Sequence, residues 1–212
     1  MSNVTIELLT EELPGSHREE IEIQIAGRSA NPLLDGPDPN TFLPDVWEHL
    51  IADYAIQSVL DVGAGAGWST KWFANKGIYT LGIEISQDAL DHNHCSSNVV
   101  LHDYAQGPFV PACCFDLAWC AAFVQQVEEE SIPNLMASFQ SCKYVCLTFV
   151  QPGQPGYHHV NCQPTDFWVK KMNAFGFDHD PRETLHLRST ASDKAQWGRR
   201  GLTFFIRRSE IK

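Results

Sequence analysis

The chain has 212 residues, 43% of them hydrophobic and 19% charged, the proportions of one ordinary globular domain and not of a disordered segment. A net charge of −11 argues against a binder of nucleic-acid phosphate. No apolar run approaches the roughly 20 residues that cross a bilayer, so no membrane partner is expected.

The start, Met1-Ser-Asn-Val-Thr-Ile-Glu, lacks the basic segment and apolar block of a secretory signal, and the expected location is the cytoplasm. Residues 1–42 read as an N-terminal extension. Within it, 4–9 and 20–26 alternate apolar and polar as in a short β-ribbon, and Asn31 to Pro44 is a Pro/Gly/Asp/Asn-rich loop. A covering helix over Asp45–Tyr54 opens a second segment, 43–212. Strand and helix then alternate: strand Ser58–Val62, helix Trp68–Asn75, strand Ile78–Ile85, short helix Gln87–His92, and strands Val99–His102 and Phe115–Trp119. Helix Glu129–Gln140, strand Tyr144–Phe149 and helix Thr165–Phe175, closed by Gly176, follow. Two alternating runs, Glu183–Arg188 and Leu202–Arg207, predict a final antiparallel pair. Repeated βα units imply an α/β, Rossmann-like, mostly parallel sheet with helices on both faces and an antiparallel strand pair at its C-terminal edge.

Seven cysteines, an odd number without a C-x-x-C pair, fit reduced and mostly buried thiols. Charge is uneven: residues 1–56 hold eleven acids against Arg18 and Arg28, and residues 182–212 hold three acids against eight bases. The basic tail either offsets the acidic head or marks a surface for an anionic substrate.

In such a sheet ligands bind beyond the carboxyl ends of the strands. The first strand runs into Gly63, Gly65, Gly67 and Trp68, with Asp61 two residues before the first glycine. Bare backbone there lets a ligand lie close. The spacing G-x-G-x-G is not the G-x-G-x-x-G of dinucleotide binders, which counts against a nicotinamide-dependent reductase. The second strand ends at Glu84-Ile85, where a carboxylate can accept both hydroxyls of a ribose. The third ends at Asp103-Tyr104, an acceptor for an exocyclic amine beside an aromatic face. Together these ends describe a nucleoside pocket.

The pattern V-L-D-V-G-x-G-x-G, an acid ending the next strand and an Asp after the third resemble the class I S-adenosylmethionine-dependent methyltransferases over roughly residues 43–208. The resemblance implies that Asp61, Gly63, Gly65 and Gly67 line the methionine part of the cofactor. It also implies that Glu84 holds the ribose hydroxyls, that Asp103 holds the adenine amine, and that Trp119 belongs to the fourth-strand motif. More narrowly, Trp119-Cys-Ala-Ala-Phe-Val-Gln-Gln-Val-Glu-Glu-Glu and Leu147-Thr-Phe-Val-Gln-Pro-Gly-Gln-Pro-Gly-Tyr-His-His-Val-Asn-Cys-Gln look like small phage and algal-virus methyltransferases that modify sugars. Those relatives commonly carry Glu and His where Ala122 and Gln126 stand, and Gln126 cannot act as a base.

An activated sulfonium donor leaves the protein to align the groups and deprotonate a hydroxyl acceptor. The loop 152–164 leaves the fifth strand with His158 and His159, the candidate bases. As neighbours in extended backbone they point to opposite sides, so only one can face the cofactor. Tyr157 and Asn161 are the candidate substrate contacts. A divalent ion, Mg²⁺ or Mn²⁺, held by Asp116 with His158 or His159 is an alternative way to activate the hydroxyl. The expected activity is O-methylation of a small polar or glycan acceptor in glycan synthesis. The alternatives are an amine, natural-product or protein acceptor, or an inactive cofactor-binding module. Oligomeric state stays open, a homodimer included.

Overall fold

A computed structural model describes residues 37–208 except 93, 96, 97, 155 and 157. The ribbon expected at 4–9 and 20–26 lies outside the described residues. Seven strands form one sheet: β1 Ser58–Val62, β2 Tyr79–Glu84, β3 Val99–Leu101, β4 Phe115–Cys120, β5 Cys142–Leu147, β6 Phe177–His179 and β7 Thr203–Arg207. Their order is β3-β2-β1-β4-β5-β7-β6, with β7 antiparallel to both of its neighbours. The chain order reverses between β1 and β4, which opens a crevice at the carboxyl ends of those strands.

The helices are α1 Pro44–Tyr54, α2 Trp68–Asn75, α3 Gln87–Asp91, α4 Ile132–Phe139, α5 Thr165–Ala174, α6 Pro181–Thr190 and α7 Gln196–Gly201. Parallel strands buried on both faces explain the unbroken apolar run Val59-Leu60 in β1. Alternation splits that burial. Leu60, Ala118 and Val145 pack with Leu135 and Met136 of α4 and Trp168 of α5. Val59, Leu117 and Cys146 pack with Trp47 and Leu50 of α1 and Phe73 of α2. Trp47 and Phe73 are thus core, as their spacing implied, with Trp72 packed against them. Cys120, Cys142 and Cys146 are buried thiols, and no disulfide joins any of the seven cysteines.

Two expectations are corrected. Residues 183–188 are not a strand but the middle of α6, and β7 pairs with Phe177–His179 instead. Asp180 caps that helix through its Oδ1, which accepts the N–H groups of Arg182 at 3.0 Å and Glu183 at 2.9 Å. Pro181 follows with a φ already suited to a first turn. The run Glu-Thr-Leu-His-Leu-Arg alternates, but its buried members, Thr184 and Leu187, are three apart, a helical face. The helix expected over 129–140 is also divided. A 3₁₀ turn at Glu129–Ser131 precedes α4, because Pro133 cannot donate into a preceding turn and so sits in the first turn of α4.

Candidate active site

The turn after β1 is built from three glycines in the left-handed region, Gly63 (φ 76°), Gly65 (55°) and Gly67 (75°), where a side chain would strain the backbone. Its start is anchored to β2, with the N–H groups of Gly63 and Ala64 donating to the Ile83 carbonyl at 2.9 and 3.0 Å. At Gly63 a Cβ would stand 2.5 Å from the Phe123 ring, which closes over the turn from the segment after β4.

Two carboxylates hold this turn. Asp61, fully buried, accepts the hydroxyls of Ser69 and Thr70 on α2, each at 2.6 Å. Burial pushes its carboxyl up to about 6, the two hydroxyl donors pull it down, and the nearby Glu84 charge pushes it up further. A raised acid stabilises the fold below the ordinary carboxylate value, and that contribution is lost as pH rises through about 6. The difference from 3.8 to about 6 is worth about 3 kcal/mol. We predict that urea unfolding of the wild type, measured against Asp61→Asn, loses stability on this scale between pH 4 and 7. A pH-independent difference would contradict the assignment.

Glu84, buried at the end of β2, accepts the Gly65 N–H at 2.8 Å through Oε2 and the Ile85 and Ser86 N–H groups at 2.9 and 2.8 Å through Oε1. Oε1 is filled by its two donors, while Oε2 retains a lone pair for one ribose hydroxyl. Three glycines, a carboxylate ending β2 and a ring closing over Gly63 therefore fit the adenosine and methionine parts of S-adenosylmethionine. Trp68 heads α2 and lies against His94, ring centroids 3.9 Å apart and planes tilted by 39°, while the His94 backbone N–H donates to the Ala66 carbonyl at 2.9 Å. Ile85 is exposed. Asp103, just past β3, accepts the N–H of Ala105 at 2.8 Å through Oδ1 and keeps acceptor capacity on its other oxygen.

Several expected site residues lie elsewhere. Tyr104 turns into the core, its hydroxyl 2.8 Å from that of Ser138. Tyr104 is 2% exposed and so offers no aromatic face to a ligand, and the same burial raises the phenol's pKa. Trp119 packs edge-on against Trp47 on the other face of the sheet, centroids 5.4 Å apart. Asp116 stands at the amino end of β4, bound to the N–H of Gln57 at 3.0 Å, that of Ser58 at 3.1 Å and the Lys143 ammonium at 2.6 Å. Burial works against its charge, but the Lys143 ammonium and these donors outweigh it and hold the carboxyl below its usual value. The histidines follow the carboxyl end of β5, so the sheet separates them from Asp116 and the three cannot share an ion. No group of three or more such side chains forms a metal site among the described residues.

Beyond β4, Ala122 holds a left-handed φ of 51°, a sparsely populated conformation for a residue with a Cβ. Its N–H donates to the Thr148 hydroxyl at 2.9 Å, and its carbonyl accepts the Gln126 amide at 3.1 Å. Gln126 is thus a local brace. The Gln125 carbonyl accepts the N–H groups of Val160 and Asn161, both at 3.0 Å. Asn161, 3% exposed, gives its amide to the Val127 carbonyl at 3.0 Å. Asn161 is therefore a clamp on the histidine segment and not the substrate contact expected. Tyr157 lies outside the described residues.

The two histidines separate. His158 is exposed, with a left-handed φ of 49°. His159 is half-buried, its ring lying against Gly156 and its Nδ1 donating to the Gln154 carbonyl at 3.2 Å. Because a carbonyl can only accept, Nδ1 carries the proton and Nε2 keeps its lone pair. Burial lowers the His159 pKa, which favours that neutral ring, while the bond to Gln154 opposes the shift. Phe123 and Thr148 are not singled out in the sequence, where Ala122 stands only as a departure from the relatives' pattern. The signal for Phe123 was its place directly after the fourth strand.

Residues 59–142 match the family model of a methyltransferase domain. No curated protein sequence matches the chain. Among solved structures, the sugar N-methyltransferase of a Streptoalloteichus species superposes with a TM-score of 0.62 at 14% identity, over 82% of this chain and 90% of that one. A Micromonospora echinaspora amino pentose methyltransferase with bound S-adenosylmethionine gives 0.61 at 15% identity, over 82% and 93%. The magnesium protoporphyrin IX methyltransferase of Synechocystis PCC 6803 gives 0.57 at 15%, over 78% and 80%. The fold is the Rossmann-like methyltransferase fold, and the matched segment contains the glycine turn, Glu84 and the segment after β4.

Proposed function

We propose that this S-adenosylmethionine-dependent methyltransferase acts on a hydroxyl of a small polar acceptor, a sugar, with His159 as general base. The observation that carries the reading is His159 itself: a half-buried, neutral imidazole with Nε2 unprotonated, on the segment that leaves β5 at the glycine-turn end of the sheet. When bound, the cofactor supplies an electrophilic methyl group. Asp61 and Glu84 hold the turn that receives it, and Phe123 shields the Gly63 side from water. His159 takes the proton that an alcohol must lose to become a useful nucleophile. His158, exposed on the same loop, serves no comparable role.

A second reading replaces the hydroxyl with a sugar amine. The sugar N-methyltransferase and the amino pentose methyltransferase that share this fold favour it. Calorimetric titration with S-adenosylhomocysteine, followed by mass spectrometry of sugars and amino sugars incubated with enzyme and cofactor, tests both. Micromolar binding and the gain of one methyl on a hydroxyl are expected. Gain on nitrogen alone would select the amine reading, and no binding would refute catalysis of either kind.

A further inference from the structure

We infer that the exposed face of α7, Trp197 with Arg200, is an acceptor subsite for a sugar that carries an anionic group. The inference rests on the proposed sugar methyl transfer and adds the charge of its substrate. Because β7 pairs antiparallel with β5, Leu147↔Thr203, the helix that feeds β7 lies at the carboxyl end of the sheet. It is seated there without slack. A Cβ on Gly201 would overlap the backbone of Phe149, two residues past β5, and one on Gly198 would overlap the Asn40 carbonyl. The Trp197 N–H donates to Asn40 Oδ1 at 3.0 Å. The short helix is thereby fixed beside the start of the segment that carries His159.

What it presents there is a partly open ring. Trp197 is 39% exposed, and an indole joins an apolar face to a polar N–H. The Arg200 guanidinium lies 5.5 Å from the centre of its ring. Of the neighbouring arginines, Arg199 pairs with Asp193 at 2.5 Å and Arg188 donates its Nε–H to the Leu202 carbonyl at 2.8 Å. Arg200 has no carboxylate partner among the described residues. A flat ring face receives the C–H face of a sugar, and an adjacent guanidinium pairs with carboxylate or phosphate in a two-pronged fashion. In a protein of net charge −11, the long-range field opposes an anionic acceptor, and a local cation beside the reacting end offsets that repulsion.

The test is an NMR titration of the full chain saturated with S-adenosylhomocysteine, using glucose, glucuronate and glucose 6-phosphate as probes. At least one charged sugar should bind about ten-fold or more tightly than glucose. The charged probe that binds distinguishes carboxylate from phosphate, and added salt should weaken it selectively. Arg200→Ala should erase the preference, and Trp197→Ala should weaken every sugar and remove ring-current shifts on its protons. Equal binding of glucose, a preference that survives Arg200→Ala, or no sugar binding to the cofactor-loaded protein would overturn the inference alone. Failure of S-adenosylhomocysteine to bind in the first step would overturn the methyltransferase reading, and the subsite with it.

Discussion

Replacing Glu84 with alanine should raise the Kd for S-adenosylhomocysteine about 100-fold and lower the melting temperature together. Both effects follow from one side chain. Hydrogen bonds to a charged group contribute about 1.5–3 kcal/mol each, and losing the one ribose contact open at Oε2, at the high end of that range, gives the 100-fold figure. The stability loss has a separate origin. The N–H groups of Gly65, Ile85 and Ser86 all donate to this carboxylate, and each donor left buried and unpaired costs about 1–3 kcal/mol. Glu84→Gln divides the two, because an amide keeps the shape but turns one acceptor into a donor. It should bind with intermediate affinity and recover part of the melting temperature. A 2′-deoxyribose analogue of the ligand should lose less affinity on Glu84→Ala than the parent does. Equal losses would mean that Glu84 only braces the turn and never touches the ribose.

His159→Ala should reduce kcat about 10²–10³-fold, within the range of a general base, with S-adenosylhomocysteine affinity within about two-fold of wild type. His158→Ala should change kcat no more than a few-fold, because that ring is exposed on a strained turn. The pH profile carries the sharper information. Burial favours neutral His159, so the base stays competent below 6.5, the ordinary histidine value, and activity falls only as pH drops through the depressed pKa. The acid limb of kcat should therefore lie below 6.5 in wild type and vanish in His159→Ala. A limb above 6.5, or equal loss in both histidine variants, would remove His159 from the role.

The donor side of the site was legible in the sequence because it is local code. Positive φ at residues 63, 65 and 67 needs glycine whatever packs around it, and an acid closing β2 sits at a fixed offset from that turn. The central strands were legible for the same reason: buried parallel strands require apolar runs that nothing else explains as well. The acceptor side was not legible. Nothing in the residue type Ala122 reports a left-handed φ. Nothing in the pair His158-His159 says which ring the Gln154 carbonyl orients. Tyr104 and Asn161 were read as ligand contacts because they follow strand ends, yet Ser138 and Val127, more than 30 residues away, claim their polar atoms.

By itself the sequence determined the βα alternation, the glycine turn with Asp61 and Glu84, and hence a nucleoside-binding end to the sheet. The tertiary structure decided that Asp116 lies at the opposite end from the histidines, that residues 183–188 are helix under an Asp180 cap, and that α7 stands beside the His159 segment. The reason is physical. Backbone conformation and apolar period are properties of a few consecutive residues, whereas the company a side chain keeps depends on strand order. That order is set by pairing between segments such as β5 and β7, which no short window contains.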